Sequence, residues 1–157
     1  MEFKAHQKYG SLSGEVIANF LQTATIPLRL SLASSKGPTI VALWFDFSGN
    51  EIRCCAPQDS LVVRSLQKVS QVAFDISSNE IPYFGVRGRG EAKLTKLGAA
   101  EQLDTLIKKY VGDPNHPLPI RLRQRAEQEY MITIVPSWIH GWDFSSRMEG
   151  LTSESSQ

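Results

Sequence analysis

The stretch 83-YFGVRGRGEAKL-94 decides how this chain is read. Its alternating arginines and glycines are open to three readings: an RNA-binding arginine-glycine segment, a phosphate-cradling loop, or a β-strand. A phosphate loop closes with Lys-Ser or Lys-Thr ahead of a helix, and 85-GVRGRG-90 has no such ending. Its glycines fall as G-x-x-G-x-G, which is not the dinucleotide fingerprint. Apolar residues at Ile81, Phe84 and Leu94 frame the stretch and speak against disorder. A period of two is more productive. It puts Val86, Gly88, Gly90, Ala92 and Leu94 on one face, and Gly85, Arg87, Arg89, Glu91 and Lys93 on the other. The expectation is one long strand with a charged face and a small-residue face. The two central glycines admit another backbone, a packed aromatic ring, a flat ligand or a sharp barrel coil. The arginines are either solvated or in contact with an anion.

Similar reasoning extends outward. Upstream, 71-QVAFDIS-77 reads as a strand and 60-SLVVRSLQKV-69 as a short helix capped by Asp59 or Ser60, with Val62, Val63 and Leu66 inward. The run 39-TIVALWFDF-47 is rich in β-branched and aromatic residues and is expected to be a central strand. A hairpin turn at 48-SGN-50 leads into its partner, 51-EIRCCA-56. Further upstream, 28-LRLSLAS-34 alternates, with Leu28, Leu30 and Leu32 on one face. The segment 11–24 reads as a helix capped by Ser13, with Val16, Phe20 and Leu21 on its buried face. Downstream, residues 97–111 form the clearest helix, striped by Leu103, Leu106, Ile107 and Tyr110. A polar segment follows at 120–129. The run 130-YMITIVPSWIHGW-142 closes the chain as a strand or strand pair, with Pro136 at an edge or bulge. The order fits a mainly β fold of antiparallel strands with inserted helices, a small barrel with helical covers.

Composition narrows the function classes. The chain has 157 residues, enough for one domain with its own core. Its formal net charge of +1 argues against a dedicated nucleic-acid binder. Cys54 and Cys55 are adjacent, too poorly placed to bridge and too few for a zinc site; in a strand, one faces the core and the other faces out. No apolar run approaches the roughly 18 residues of a spanning helix, and the N-terminal 1-MEFKAHQKYG-10 is neither a signal peptide nor an anchor. A cytoplasmic, membrane-free protein is expected. His6, His116 and His140 are scattered, and no catalytic side chain or metal ligand is assigned; His140, beside Trp138 and Trp142, is the one histidine worth testing.

The run 38–74, with Leu43-Trp44-Phe45 and its hairpin, the stretch 82–94 with Val86-Arg87-Gly88-Arg89-Gly90, and the closing 130–144 together resemble the flavin-binding split-barrel proteins related to pyridoxamine 5'-phosphate oxidase. The resemblance covers roughly residues 14–147. It implies a six-stranded antiparallel split β-barrel forming a homodimer, a single flavin-binding domain over 1–147, and a polar, disordered tail over 148–157. It further implies FMN as cofactor, with the deazaflavin F420 as alternative. The activity implied is that of a flavin-dependent oxidoreductase acting on an unassigned small molecule, with hydride transfer through N5 of the cofactor. Alternatives from other classes are a noncatalytic flavin, F420 or haem binder, or a dimeric barrel that has lost its cofactor. The closing 136-PSWIHGWDF-144 lacks the arginine and histidine pattern of pyridoxamine 5'-phosphate oxidase itself.

The same resemblance supplies cofactor-binding residues. The backbone of Val41, Ala42, Leu43 and Trp44 runs along the ring edge; the Trp44 side chain packs near the ring or in the core. Ser60 matches a phosphate-contacting serine and Arg64 a basic residue of that motif, with Gln58 as a further donor. Arg53 or Arg87 adds charge if it faces inward. Trp138 and Trp142 close the pocket from a partner subunit or bury dimer surface. Ala56 and Val62 depart from the motif, standing where threonine and lysine are usual.

Overall fold

The computed structural model describes residues 12–113 and 115–148. His6 and the tail beyond residue 148 lie outside them. Helix α1, Gly14–Thr23, begins where the Ser13 side chain accepts a hydrogen bond from the Val16 amide. It buries Ile17 and Leu21. Val16 faces solvent, contrary to the sequence expectation, because the core-facing stripe is phased one residue later. Strands β1 (Leu28–Leu32), β2 (Thr39–Leu43), β3 (Asp46–Ser48) and β4 (Glu51–Pro57) follow. Gly49 and Asn50 both take positive φ, 61° and 66°, as a two-residue hairpin turn between β3 and β4 requires. Helix α2 (Leu61–Leu66), strands β5 (Gln71–Ser77) and β6 (Phe84–Thr95), helices α3 (Ala99–Tyr110) and α4 (Pro117–Arg123), a 3₁₀ turn at Ala126–Gln128, strand β7 (Glu129–Asp143) and helix α5 (Ser145–Met148) complete the chain. Helix α5 runs to Met148, the first residue of the expected tail.

The strands form one curled antiparallel sheet in the order β2-β1-β5-β6-β7-β4-β3, an open split barrel with inserted helices. The seven strands come from six runs of sequence, because 39–48 is broken in two. That run was expected to be central. Instead β2 pairs with β1 at one edge and β3 pairs with β4 at the other. Two residues, Trp44 and Phe45, carry the chain between the edges, so the sheet must curl. Tyr110 holds this breakpoint. Its hydroxyl accepts from the Phe45 amide at 3.3 Å and donates to the Ile26 carbonyl at 3.3 Å, which satisfies an N–H that has left the ladder. The Trp44 ring stacks on Tyr110, centroids 5.2 Å apart and 9° from parallel.

The concave face holds the core. Leu28, Leu30 and Leu32 of β1, Val72, Phe74 and Ile76 of β5, and Val86 and Ala92 of β6 all point into it. Cys54 is fully buried there, whereas Cys55 faces out under α3, with its thiol donating to the Ala99 carbonyl at 3.6 Å. Burial pushes both thiols up, Cys55 to about 12, so both stay protonated at neutral pH.

Strand β7 changes face along its length. Ile132 and Ile134 pair with Leu94 and Ala92 and point inward, but farther on Ile139 and Gly141 point inward opposite Gly88 and Val86. The switch from even to odd residues is a β-bulge. Gly90 pairs with Pro136 and Arg89 with Trp138, leaving Ser137 as the extra residue. The Ser137 hydroxyl donates to the Arg89 carbonyl at 3.2 Å. Beyond the bulge, Trp138 and His140 therefore stand on the convex face.

Candidate functional site

Two register rows cross the convex face. One runs Ser31, Ala73, Arg89, Trp138; the other runs Arg29, Asp75, Arg87, His140. The small side chains of Ser31 and Ala73 leave a recess of about 420 Å³, walled by Trp138, Arg87, Arg89 and the Ile40 side chain of β2. The Arg89 guanidinium lies 5.7 Å from the Trp138 ring centroid, within cation–π range. The His140 ring is 5.8 Å from that of Trp138 and 6° from parallel. Asp75 is already engaged: Arg29 Nη1 is 3.6 Å from its Oδ2, and the Ser77 hydroxyl donates to it at 2.6 Å. Arg87 stands opposite Asp75 yet makes no ion pair among the described residues. The recess is therefore positive, with Arg87 and Arg89 uncompensated.

The recess continues into a larger hollow. A cavity of about 900 Å³ shares Ala73 and Arg89 with it and passes the bulge at Gly90 and Pro136. That cavity shares Ala33 and Val69 with a third, of about 520 Å³, lined by Ser34, Ser35, Arg64, Ser65 and Lys68. One groove thus joins a tryptophan-walled cationic recess to a second cationic end. Arg64 lies on α2 and Lys68 in the turn just beyond the end of that helix. Arg64 donates to the Asp59 carbonyl and retains further guanidinium donors.

The other expected residues lie elsewhere. Ser60 is the cap of α2, its hydroxyl accepting from the Val63 amide at 3.2 Å. Gln58 accepts from Lys96 Nζ at 2.7 Å. Neither lines the groove. Ala56 and Val62, at the departing positions, are core residues, 2% and 6% exposed. Val41 packs half-buried on the inner face, while Ala42, Leu43 and Trp44 line a separate cavity. Arg53 and Arg87 both face outward, and Arg53 is paired with Glu51 at 3.0 Å. His116 caps α4, its Nδ1 accepting from the Leu118 amide at 3.1 Å. Sequence reasoning missed Arg29, Asp75, Ser31 and Ala73. Alternation marked Arg29 and Ser31 as outward-facing, but only the register aligns them with Asp75 and Ala73. It also missed Lys68, whose spacing from Arg64 was a usable signal.

Fold and groove together define a split-barrel protein with a ligand-sized, positively charged channel on its convex face. No family model and no curated protein matches the chain. Solved structures do match. A conserved hypothetical protein from Mycobacterium tuberculosis superimposes with a TM-score of 0.74 at 19% identity, covering 89% of each chain. An F420 reductase gives 0.61 at 20% identity, over 76% of this chain and 92% of its own. A FAD-binding protein from Mesorhizobium loti gives 0.64 at 15% identity, over 86% and 97%. At these identities the likeness shows a shared fold. Among the described residues, no helix is long and apolar enough to cross a membrane, and no three His, Cys, Asp or Glu side chains gather as a metal site.

Proposed function

We propose that the convex groove holds an elongated anionic cofactor of the flavin type, FMN or alternatively F420, and that the protein is a flavin-dependent oxidoreductase. The observation that carries this reading is the continuity of the groove. A flat, aromatic, open-floored recess at Trp138 is joined to a cationic end at Arg64 and Lys68. The names of two structures of the same fold, an F420 reductase and a FAD-binding protein, support it.

The residues present fit such a group, with one change of anchor. Trp138 offers a planar surface, and the Ser31 and Ala73 floor leaves room for a ring. Arg87 and Arg89 favour negative charge beside it. Strand β2 is an edge strand that borders the recess through Ile40, so free backbone groups beside Ile40 offer a polar rim, while Ala42, Leu43 and Trp44, expected along the ring, lie at the separate cavity. At the far end, Arg64 and Lys68 hold the anionic group and take the place of the anchors replaced by buried Ala56 and Val62. When bound, the cofactor supplies hydride transfer through N5. The chain binds, orients and screens it from water. Ile40, 71% exposed, and Val135, 37% exposed, flank the groove. A homodimer would bury both and close the recess over the ring.

The test is native purification, a visible spectrum, identification of any released chromophore by mass, and titration of the stripped protein with FMN and F420. The expected result is binding at roughly micromolar concentration, weakened in Trp138→Ala. A protein isolated without chromophore that binds neither compound would overturn the reading. A bound cofactor that no donor reduces would leave a noncatalytic flavin carrier in its place.

A further inference from the structure

A second cavity, of about 290 Å³, lies on the other half of the sheet between β2, β4, α3 and α4, and shares no lining residue with the groove. Its walls are apolar: Leu103 and Leu106 from α3, Leu118 and Leu122 from α4, and Trp44. Two charged side chains interrupt them. Glu129, the first residue of β7, is only 4% exposed, and Arg125 stands at the exposed side. Although four residues apart around the 3₁₀ turn, they form no ion pair with each other within 4.0 Å, and neither side chain makes an ion pair or hydrogen bond with any other described residue.

Glu129 is largely shielded from water and is drawn to Arg125 only beyond ion-pair distance, so a complementary cation in the cavity relieves a remaining desolvation cost. A guanidinium without a partner is a preformed fork for a carboxylate. Opposite charges held apart at one apolar cavity are matched by a zwitterion whose two charges are close together and whose remainder is hydrocarbon. The volume sits at the lower end of ligand pockets and restricts the occupant to a small molecule. Cys55 lies in the same wall, its thiol donating to the Ala99 carbonyl at 3.6 Å.

We infer that this cavity binds a free apolar α-amino acid of about leucine or phenylalanine size, its ammonium on Glu129, its carboxylate on Arg125 and its side chain among the leucines and Trp44. This inference is independent of the flavin reading.

Calorimetric titration of the full chain with leucine, leucinamide and 4-methylpentanoate tests it. Leucine is expected to bind in the micromolar to millimolar range. The amide lacks the carboxylate and the acid lacks the ammonium, so each should bind at least ~10-fold more weakly. Glu129→Gln should weaken leucine and leave 4-methylpentanoate unchanged; Arg125→Ala should weaken leucine and leave leucinamide unchanged. Circular dichroism confirms that both variants fold. The inference is overturned if leucine, methionine and phenylalanine all fail to bind at about 10 mM, if leucinamide binds as well as leucine, or if both folded variants keep wild-type affinity.

Discussion

Gly90 lies against Pro136 with no room for a side chain: a Cβ at residue 90 would stand 2.8 Å from the Pro136 Cα. The glycine in the middle of 83-YFGVRGRGEAKL-94 is thus the seat of the β7 bulge. Because the bulge turns Trp138 and His140 outward, Gly90 is a condition of the candidate site as well as of the barrel.

Gly90→Ala should destabilise the fold by ~3 kcal/mol, because the obstructing atoms are backbone and cannot rotate away. Gly88→Ala meets the Phe74 ring, and also the Trp138 carbonyl at 2.6 Å. It should cost about 1–3 kcal/mol, with partial recovery in Gly88→Ala/Phe74→Leu. Denaturant unfolding of these three variants and of Gly90→Ala/Phe74→Leu checks this. Equal recovery of Gly90→Ala by Phe74→Leu would show that the bulge is not what needs the glycine.

Tyr110→Phe should cost about 1 kcal/mol, since it leaves the Phe45 amide and the Ile26 carbonyl without their shared hydroxyl. Stacking on Trp44 survives the change, so the fold should persist with a lowered Tm. Thermal unfolding measures the loss.

Arg64→Ala/Lys68→Ala should weaken binding of FMN by roughly 10- to 100-fold and steepen no other property. Trp138→Ala should cost about 1–3 kcal/mol of ring binding. Riboflavin, which lacks the phosphate, separates the two ends: its affinity should fall in Trp138→Ala and hold in the double variant. Fluorescence titration reads both.

Glu129 gives a pH signature. Burial holds its carboxyl above the usual carboxylate range; Arg125 pulls it down and Asp59 pushes it up. The protonated Cys55 thiol is its remaining titratable neighbour. The folded chain therefore holds this proton more tightly than the unfolded chain does. Stability falls as pH rises from the ordinary carboxylate pKa through the raised one, and the penalty is constant above it. Glu129→Gln removes the penalty. Its Tm should exceed that of the wild type at neutral pH, and the gap should close below about pH 4. Melting curves of both proteins across pH test this.

The faces of β1 and β6 were legible residue by residue. Alternation at Leu28, Leu30 and Leu32, or at Arg87 and Arg89, follows from the pleat of a single strand, which is a local property. Helix caps at Ser13 and Ser60 and the leucine stripe of α3 were legible for the same reason. The break at Trp44 and Phe45 was not. The run is apolar without a break from Ile40 to Phe45, and nothing across that break point tells which sheet edge each half will meet. Arg87 and Trp138 were both named from the sequence and share the recess; Gln58 and Ser60 do not, because the start of α2 turns their polar atoms to Lys96 and to the helix cap.

The sequence by itself determined a mainly β chain of antiparallel strands with inserted helices, and the inward and outward parity along most of them. Those features depend on periods of a few residues. Only the tertiary structure decided that one strand divides between two sheet edges, that Ser137 shifts the parity of β7, and that the groove and the Glu129 cavity exist. Each of these depends on register between segments tens of residues apart, where a slip of one residue reverses a face.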